Sequence, residues 1–131
     1  MTLSTADHFE ILDIVHRADE AASERHADGY IALFTPDAIL DGAQGNYSGR
    51  EALRAAVSKV WAAEGPSTLH LTLNPVIEPG EQDGEAVVRS VLLIVSPAEP
   101  AVIQATALIR QVLLRDGNSW RITRRTVTPA G

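Results

Sequence analysis

His70 is the side chain best suited to proton transfer in this sequence, because a histidine changes its charge near neutral pH. A carboxylate that orients the imidazole would let it take a proton beside a carbonyl group, and Asp41 is the only acid on a predicted early strand. Tyr47 or Arg125 could then stabilise the oxyanion that forms. Dehydratase and isomerase chemistry needs these two roles, so the four residues form a candidate site for it.

Each of these residues also has a structural interpretation. A strand histidine beside threonine and asparagine often satisfies its hydrogen bonds within the core, and Asp41, next to Gly42, could instead serve a turn or a cap. Tyr47 precedes a predicted helix and could simply pack there, and Arg125 could be a solvated strand charge. Both interpretations stay open at the level of the sequence.

Other common chemistries lack their residues. The chain has no cysteine, which excludes disulfides, thiolate metal sites and a cysteine nucleophile. The four histidines lack the spacing of a metal-binding helix, and the glycine-rich segment 42–49 fits neither dinucleotide nor phosphate-loop spacing. We therefore expect no metal and no cofactor.

The length of 131 residues predicts a single domain over residues 1–131. The charge and hydropathy of the chain limit the partners that it could bind. A formal charge of -6 disfavours nucleic acid and anionic membranes. Strand alternation should place Arg124 opposite Arg121 and Arg125, so these arginines do not predict one basic patch. No apolar run resembles a signal peptide or reaches the roughly 20 residues that span a bilayer, and we expect a cytoplasmic protein.

Helical periodicity dominates the first half of the chain. Ser4 and Asp7 form a capping pair for a first helix, and segment 26–34 predicts a short second helix that Pro36 ends. A short strand should follow over residues 38–41. The apolar stripe of the first helix comprises Ile11, Ile14, Val15, Ala18, Ala21 and Ala22.

A third helix should begin at the capping box formed by Ser48 and Glu51 and end at Gly65-Pro66. From residue 67 the period changes from 3.6 to 2, which is typical of strands. Trp120 and Ile122 share one side of the last strand and should pack against the helices. The four predicted antiparallel strands are the run around 69–74, Ala86–Val95, Val102–Leu114 and Trp120–Val127.

Helices followed by a meander predict an α+β fold in which the helices cover one face of the sheet. Four segments, in this order and spacing, resemble the SnoaL-like branch of the nuclear transport factor 2 superfamily over nearly the whole chain. These segments are Leu33-Phe34-Thr35-Pro36-Asp37-Ala38, Tyr47-Ser48-Gly49-Arg50-Glu51-Ala52-Leu53, His70-Leu71-Thr72-Leu73-Asn74, and Asp116-Gly117-Asn118-Ser119-Trp120-Arg121-Ile122 with Arg125.

The resemblance implies an NTF2-like, or cystatin-like, cone: a curved antiparallel sheet wrapped around three N-terminal helices, with a cavity at its wide end. It also implies a homodimer formed through the outer face of the sheet. Trp61, on the apolar stripe of the third helix, should line the cavity, and Arg125 matches the terminal arginine of the family.

The catalytic residues of known members carry over only in part. The isomerase base falls on Gly42 and the isomerase tyrosine on Ala18. The cyclase histidine matches His70, but cyclases also use a carboxylate on a later strand. In this chain the later strands have no aspartate or glutamate away from the turns. Their polar residues are of other types, such as Arg89 and Gln104.

The sequence therefore predicts a SnoaL-like domain that binds a small apolar ligand, with three functions open. The first is a cofactor-independent lyase or isomerase acting on a small apolar carbonyl compound. In that case His70 and Asp41 are catalytic, while Tyr47, Trp61 and Arg125 bind the substrate. The second is a binding module without turnover, and the third is a dimerisation scaffold.

Overall fold

The computed structural model describes residues 2–130. Three helices and six strands form the α+β architecture that the sequence predicts. No described helix is long and apolar enough to cross a membrane. In chain order the elements are α1 (Thr5–Ser23), α2 (Ala27–Ile31), β1 (Phe34–Gly42), β2 (Gly45–Ser48), α3 (Arg50–Glu64), β3 (Leu69–Pro79), β4 (Glu85–Ser96), β5 (Val102–Asp116) and β6 (Ser119–Pro129).

Helix α1 begins at the predicted capping pair. The Asp7 amide donates to Ser4 Oγ over 3.0 Å, and the Ser4 amide donates to Asp7 Oδ2 over 2.9 Å. Asp7 Oδ1 also accepts from the Arg115 guanidinium and, over 3.4 Å, from Trp120 Nε1. The hydrogen bond from Ser4 lowers the pKa of Asp7 to about 2, with Arg115 assisting. One carboxylate thus caps α1 and ties it to β5 and β6.

The core lies between the helices and the inner face of the sheet. Trp120 and Ile122 are fully buried there, as predicted, against the apolar stripe of α1. That stripe reaches the sheet at Ile11 and Val15, both of which are almost inaccessible to solvent. Burial of this kind contributes about 1.5–3 kcal/mol for each large side chain, so the helices are held firmly over the sheet.

The sheet has the strand order β2-β1-β6-β5-β4-β3. The meander from β3 to β6 is antiparallel, as predicted, while β1 pairs in parallel with β6. The sheet is therefore mixed and has two free edges, β2 and β3. Four register shifts between neighbouring strands bend it around the helices, since an extra residue in one strand increases the local twist.

Strand β1 is longer than predicted, and α2 is shorter. The chain pairs with β6 already at Leu33, whose carbonyl accepts from the Ile122 amide over 2.8 Å. This pairing ends the helical segment before Phe34. Pro36 lies where the β1–β6 register shifts between Phe34 and Ile39, a position at which a strand tolerates a residue without an amide donor.

The predicted capping box at Ser48 is wrong. Ser48 belongs to β2, a strand that the sequence did not predict, and pairs there with Ile39. Gly49 is the residue before α3, and its φ of +87° suits glycine far better than serine. The Gly49 amide donates to the Ala38 carbonyl over 2.9 Å, so the strand pairing takes precedence over the helix cap.

The sides of the terminal arginines also differ from the prediction. A register shift between β5 and β6 at Val112 and Leu113 inserts an extra residue in β6. Arg121, between the buried Trp120 and Ile122, therefore points outward, and so does Arg124. Arg125 alone points inward and is only 6% exposed.

Strand β3 turns its polar side toward the helices and its apolar side toward solvent. His70 is 7% exposed, whereas Leu69, Leu71 and Leu73 are 41%, 41% and 40% exposed. The reason is the free edge of β3, whose amides need partners. Side chains of α1 supply them: the His70 amide donates to Ser23 Oγ over 2.9 Å, and the Thr72 amide to Asp19 Oδ2 over 3.0 Å.

Candidate functional site

A pocket of about 200 Å³ lies between the helices and the inner face of the sheet. Most of its wall is apolar, and a few polar side chains converge in it, which is the usual composition of a small-molecule site. The lining residues that could do chemistry or recognise a ligand are Asp19, Tyr30, Tyr47, Trp61, Glu64, His70 and Arg125.

The shortest polar contact in this pocket joins His70 to Glu64. Glu64 is the last residue of α3, and its Oε1 lies 2.7 Å from His70 Nε2. The two side chains are 7% and 9% exposed, so water barely screens the contact. Thr68 Oγ1 donates to the same oxygen over 2.8 Å, and an Arg25 guanidinium nitrogen lies 3.8 Å away.

These partners hold Glu64 in its ionised form. Burial acts to raise the pKa of Glu64, but the hydrogen bond and charge of His70, together with Thr68 and Arg25, outweigh it and lower that pKa. Glu64 Oε2 is buried and has no hydrogen-bond partner among residues 2–130. The carboxylate thus orients the imidazole with one oxygen and leaves the other available.

Asp19 is the second carboxyl group of the pocket and has the opposite electrostatic character. Burial raises its pKa, against the lowering effects of its hydrogen bonds with Thr72 and of the charges of Arg125 and His70. A carboxyl group of this kind keeps its proton at higher pH than an exposed aspartate does. Asp19 is therefore suited to donate a proton, while Glu64 stays ionised.

Arg125 lies opposite Gln111 of β5 on the inner face of the sheet. Its Nη1 donates to Gln111 Oε1 over 3.2 Å, and Gln111 is fully buried. No carboxylate in the described part of the chain lies within 4.0 Å of the Arg125 guanidinium. A neutral amide thus fixes a buried cation, and an ion pair does not neutralise it.

Three aromatic rings, those of Tyr30, Tyr47 and Trp61, line the pocket. Trp61 of α3 packs edge-to-face on Tyr30, with ring centroids 5.4 Å apart and an interplanar angle of 87°. Burial raises the pKa of Tyr30. Tyr47, on β2, donates to the Gln44 carbonyl over 3.4 Å at the β1–β2 turn. These rings give the pocket a rigid apolar wall.

Four of the five predicted site residues line this pocket, namely His70, Tyr47, Trp61 and Arg125. Asp41 does not, and the predicted pairing of Asp41 with His70 is wrong. Its neighbours Leu40 and Gly42 line the pocket, so strand alternation turns Asp41 to the other face.

On that face Asp41 Oδ2 accepts from Arg124 Nε over 2.8 Å and from Thr126 Oγ1 over 3.2 Å. Glu64 takes the place beside His70 that the sequence analysis gave to Asp41.

Comparison with known protein families identifies the scaffold. The family model described as a SnoaL-like domain matches residues 4–126. The chain belongs to the SnoaL-like family. The resemblance expected from the sequence is thereby confirmed, and so is the cystatin-like, NTF2-like fold. A comparison with curated protein sequences finds no match.

Several solved structures share the fold of this SnoaL-like protein at low sequence identity. A protein of unknown function with a cystatin-like fold from Nostoc punctiforme has a TM-score of 0.90 and 24% identity, covering 99% of this chain and 96% of the other. A candidate scytalone dehydratase from Novosphingobium aromaticivorans has a TM-score of 0.80 and 17% identity, covering 96% and 85%. A Catenulispora acidiphila protein in complex with S-DNPA has a TM-score of 0.81 and 19% identity, covering 95% and 93%.

Asp19 and Glu64 of this SnoaL-like chain are not among the predicted site residues, although the sequence carries a signal for both. Glu64 follows Val60 by four residues and Trp61 by three, so it continues the buried stripe of α3. Asp19 follows Val15 by four residues in the same way on α1. A carboxylate at the end of an apolar helical stripe indicates a buried acid.

Proposed function

We propose that this SnoaL-like protein is a cofactor-independent lyase or isomerase that acts on a small, mostly apolar carbonyl compound. The observation that carries the proposal is the buried 2.7 Å hydrogen bond between Glu64 and His70 at the wall of a pocket. A histidine oriented by an ionised carboxylate is a common general base. Asp19, in the same pocket, supplies the second proton-transfer group.

The proposed reaction assigns one role to each polar side chain. His70 removes a proton from the carbon next to the carbonyl, and Glu64 stabilises the imidazolium ion that results. Arg125 stabilises the negative charge that develops on the carbonyl oxygen. In a lyase reaction, protonated Asp19 gives its proton to a β-hydroxyl group as the carbon–oxygen bond breaks, so that water leaves and a carbon–carbon double bond forms.

An isomerase reaction needs the same first step. The proton taken by His70 is returned to a different carbon of the enolate, and no group leaves. Tyr47 and Trp61 have no proton-transfer role in either case and serve as the apolar wall that holds the substrate. The candidate scytalone dehydratase and the complex with S-DNPA, both of this fold, support a small-molecule role for the pocket.

Formation of a conjugated carbonyl product tests the proposal, because both reactions can yield one and it absorbs in the near ultraviolet. The substrates would be a panel of small β-hydroxy ketones and β,γ-unsaturated ketones. We expect turnover of at least one of them by the wild type and a loss of about 100-fold or more in His70→Asn. His16→Asn, which changes an exposed histidine of α1, is the matched control.

The alternative is a pocket that binds its ligand without turnover. It would be favoured if apolar carbonyl compounds raise the unfolding temperature of the wild type but no product forms with any of them. Equal turnover by the wild type and His70→Asn would contradict the catalytic role of the histidine.

We also propose that the outer face of the sheet forms a homodimer with a second copy of the chain. The outward leucines of β3 pair with apolar residues of β4, Leu71 with Leu93 and Leu73 with Val91, and Val91 pairs in turn with the 54% exposed Leu108 of β5. A continuous apolar surface across three strands is typical of an interface. Self-association would remove it from water.

Sedimentation velocity at micromolar concentration tests this assembly. The wild type should sediment with twice the chain mass, and Leu71→Asp should sediment as a monomer. Phe9→Asp changes an exposed apolar residue of α1 outside this face and should remain dimeric. A monomeric wild type would contradict the proposal.

A further inference from the structure

We propose that the ligand of the pocket is a small apolar acid whose ionised carboxylate binds Arg125. This inference rests on the proposed function only in assigning the ligand to this pocket. It narrows the ligand from a carbonyl compound in general to one that also carries an ionised carboxylate at neutral pH, so that Arg125 binds this carboxylate in addition to the charge that develops on the carbonyl oxygen.

The first observation is that Arg125 is a buried charge without an acidic partner. It is 6% exposed, and its one hydrogen-bond partner within residues 2–130 is the neutral side chain of Gln111. An arginine remains charged at all ordinary pH values. A buried charge is costly unless an opposite charge compensates it, so an anionic ligand would lower the free energy of the site.

The two acids of the pocket do not supply that compensation. Glu64 is already engaged by His70, Thr68 and Arg25. Asp19 forms no ion pair with Arg125 within 4.0 Å, and burial raises the pKa of Asp19 although the charge of Arg125 acts to lower it. The guanidinium of Arg125 therefore has no carboxylate of the described chain against it to compensate its charge.

The second observation concerns the donors of Arg125. A guanidinium group has five N–H donors in a planar fork, a geometry that matches the two oxygens of a carboxylate. Gln111 engages one of them and fixes the orientation of the group, because Gln111 is itself fully buried. The remaining donors are thus held in a defined orientation, as recognition of a carboxylate requires.

The third observation is the size and character of the space around the guanidinium. At about 200 Å³, the pocket is smaller than the 300–1,000 Å³ typical of sites for drug-sized ligands. Leu40, Leu92, Ile94 and Val127 line it together with Arg125. The acid must therefore have a compact hydrocarbon body, such as one ring.

Matched pairs of acids and neutral isosteres test the inference on the wild-type protein. We would compare benzoate with benzamide, and cyclohexanecarboxylate with its primary amide, by thermal unfolding and titration calorimetry at pH 7. A charged hydrogen-bonded contact predicts that each acid binds about tenfold or more tightly than its amide. Equal affinity of acid and amide would overturn the inference without any variant.

Two neighbouring arginines provide the variant and its control. Arg125→Gln should remove the preference for the acid while the amide still binds, whereas Arg124→Gln, on the outer face with Asp41, should keep the preference. A preference that persists in a folded Arg125→Gln would also overturn the inference. If Arg125→Gln does not fold, the affinities of the wild type for acids and for their amides still test the inference.

The results separate this inference from the proposed function. Acid-selective binding without turnover of any carbonyl compound would support the inference and contradict the enzyme. Turnover of a carbonyl compound without selective binding of acids would support the enzyme and contradict the inference. Failure of both acids and amides to bind would overturn the inference and the assignment of this pocket as the ligand site.

Discussion

Glu64 and His70 lie six residues apart in the chain, and their side chains meet at 2.7 Å across the turn that joins α3 to β3. Hydrogen bonds from Arg25 hold both ends of this turn. Arg25 donates to the Gly65 carbonyl and to Thr68 Oγ1, each over 2.6 Å, and Thr68 donates to Glu64. The acid–base pair is therefore built by local chain geometry and stabilised by Arg25, which follows the end of α1.

Glu64→Gln should reduce both stability and activity. The amide would lose the charged hydrogen bond to His70 and the attraction of Arg25, at a cost of about 2 kcal/mol at pH 7. Turnover should fall because a neutral amide does not stabilise the imidazolium ion. Chemical denaturation would measure the first effect and product formation the second, with the exposed Glu51→Gln of α3 as control.

The effect of Glu64→Gln on stability should depend on pH. The lowered pKa of Glu64 means that its contribution to stability is fully present above the ordinary glutamate pKa of about 4.3 and is lost as the pH falls through the lowered value. The difference between the wild type and the variant should therefore shrink in acid. A difference that grows below pH 4 would contradict the assignment.

Asp19→Asn should have the opposite effect on stability while reducing lyase activity. Its pKa is raised, so its contribution to stability is present below the ordinary aspartate pKa of about 3.9 and is lost as the pH rises through the raised value. The variant, which cannot ionise, should thus unfold at a higher temperature than the wild type at pH 7. Calorimetry at pH 4 and pH 7 measures the effect.

The matched control for Asp19→Asn is Asp13→Asn, which changes an exposed aspartate of the same helix. It should not stabilise the protein, because Asp13 pairs with Arg17 in water. A gain in activity that accompanied the gain in stability of Asp19→Asn would contradict a catalytic role for Asp19, since removal of a catalytic group trades activity for stability.

Asp41→Asn should leave turnover unchanged. The side chain contacts Arg124 and Thr126 on the face of the sheet away from the pocket, and Arg124 is half-exposed. Loss of an ion pair of this kind costs at most about 1 kcal/mol. Parallel assays of Asp41→Asn and Glu64→Gln would show which carboxylate serves His70, and a large loss in the first would contradict the account.

Trp61→Phe should widen the range of ligands that the pocket accepts. The indole forms part of the pocket wall and packs on Tyr30, and a smaller ring leaves space for an additional substituent on the ligand. Affinities for benzoates with para substituents of increasing size would measure the change. Trp61→Ala is less suitable, because such a truncation in the core costs about 3–5 kcal/mol. Phe9→Leu, at an exposed aromatic residue, is the control.

The regular parts of the fold could be predicted because local patterns and tertiary contacts agree. The stripe of α1 that includes Ile11 and Val15 is buried, the Ser4–Asp7 cap is formed, and the antiparallel meander has the expected order. In these elements the residue period, the caps and the turn residues all specify the same structure.

The rest could not be predicted because long-range pairing decided it. Strand β2 exists because residues 45–48 find a partner in β1, and that pairing uses Ser48, which local rules assign to a helix cap. The side that Arg125 faces depends on a register shift in β6 that no local signal marks. The alternation of β3 was visible, but only the contacts of its edge with α1 show that His70 faces inward.

In the candidate site, too, local patterns predicted some residues, while tertiary contacts determined the others. Four of its residues were found because they lie on predicted strands, beside a predicted helix or on its apolar stripe. The contact of Glu64 with His70 was not predicted because it depends on the conformation of the turn between α3 and β3. Asp41 was favoured because it lies on an early strand, yet a single step in alternation separates it from the pocket.

Deuterium exchange in D2O tests most directly whether His70 moves a proton at a carbon next to a carbonyl group. Proton NMR would follow the α-hydrogens of two small ketones, cyclohexanone and 4-oxopentanoate, with the wild type, His70→Asn and the control His16→Asn. The account predicts that the wild type and His16→Asn accelerate exchange of at least one ketone and that His70→Asn is slower by about 100-fold or more. Exchange no faster with the wild type than in buffer, or equally fast with His70→Asn, would contradict it.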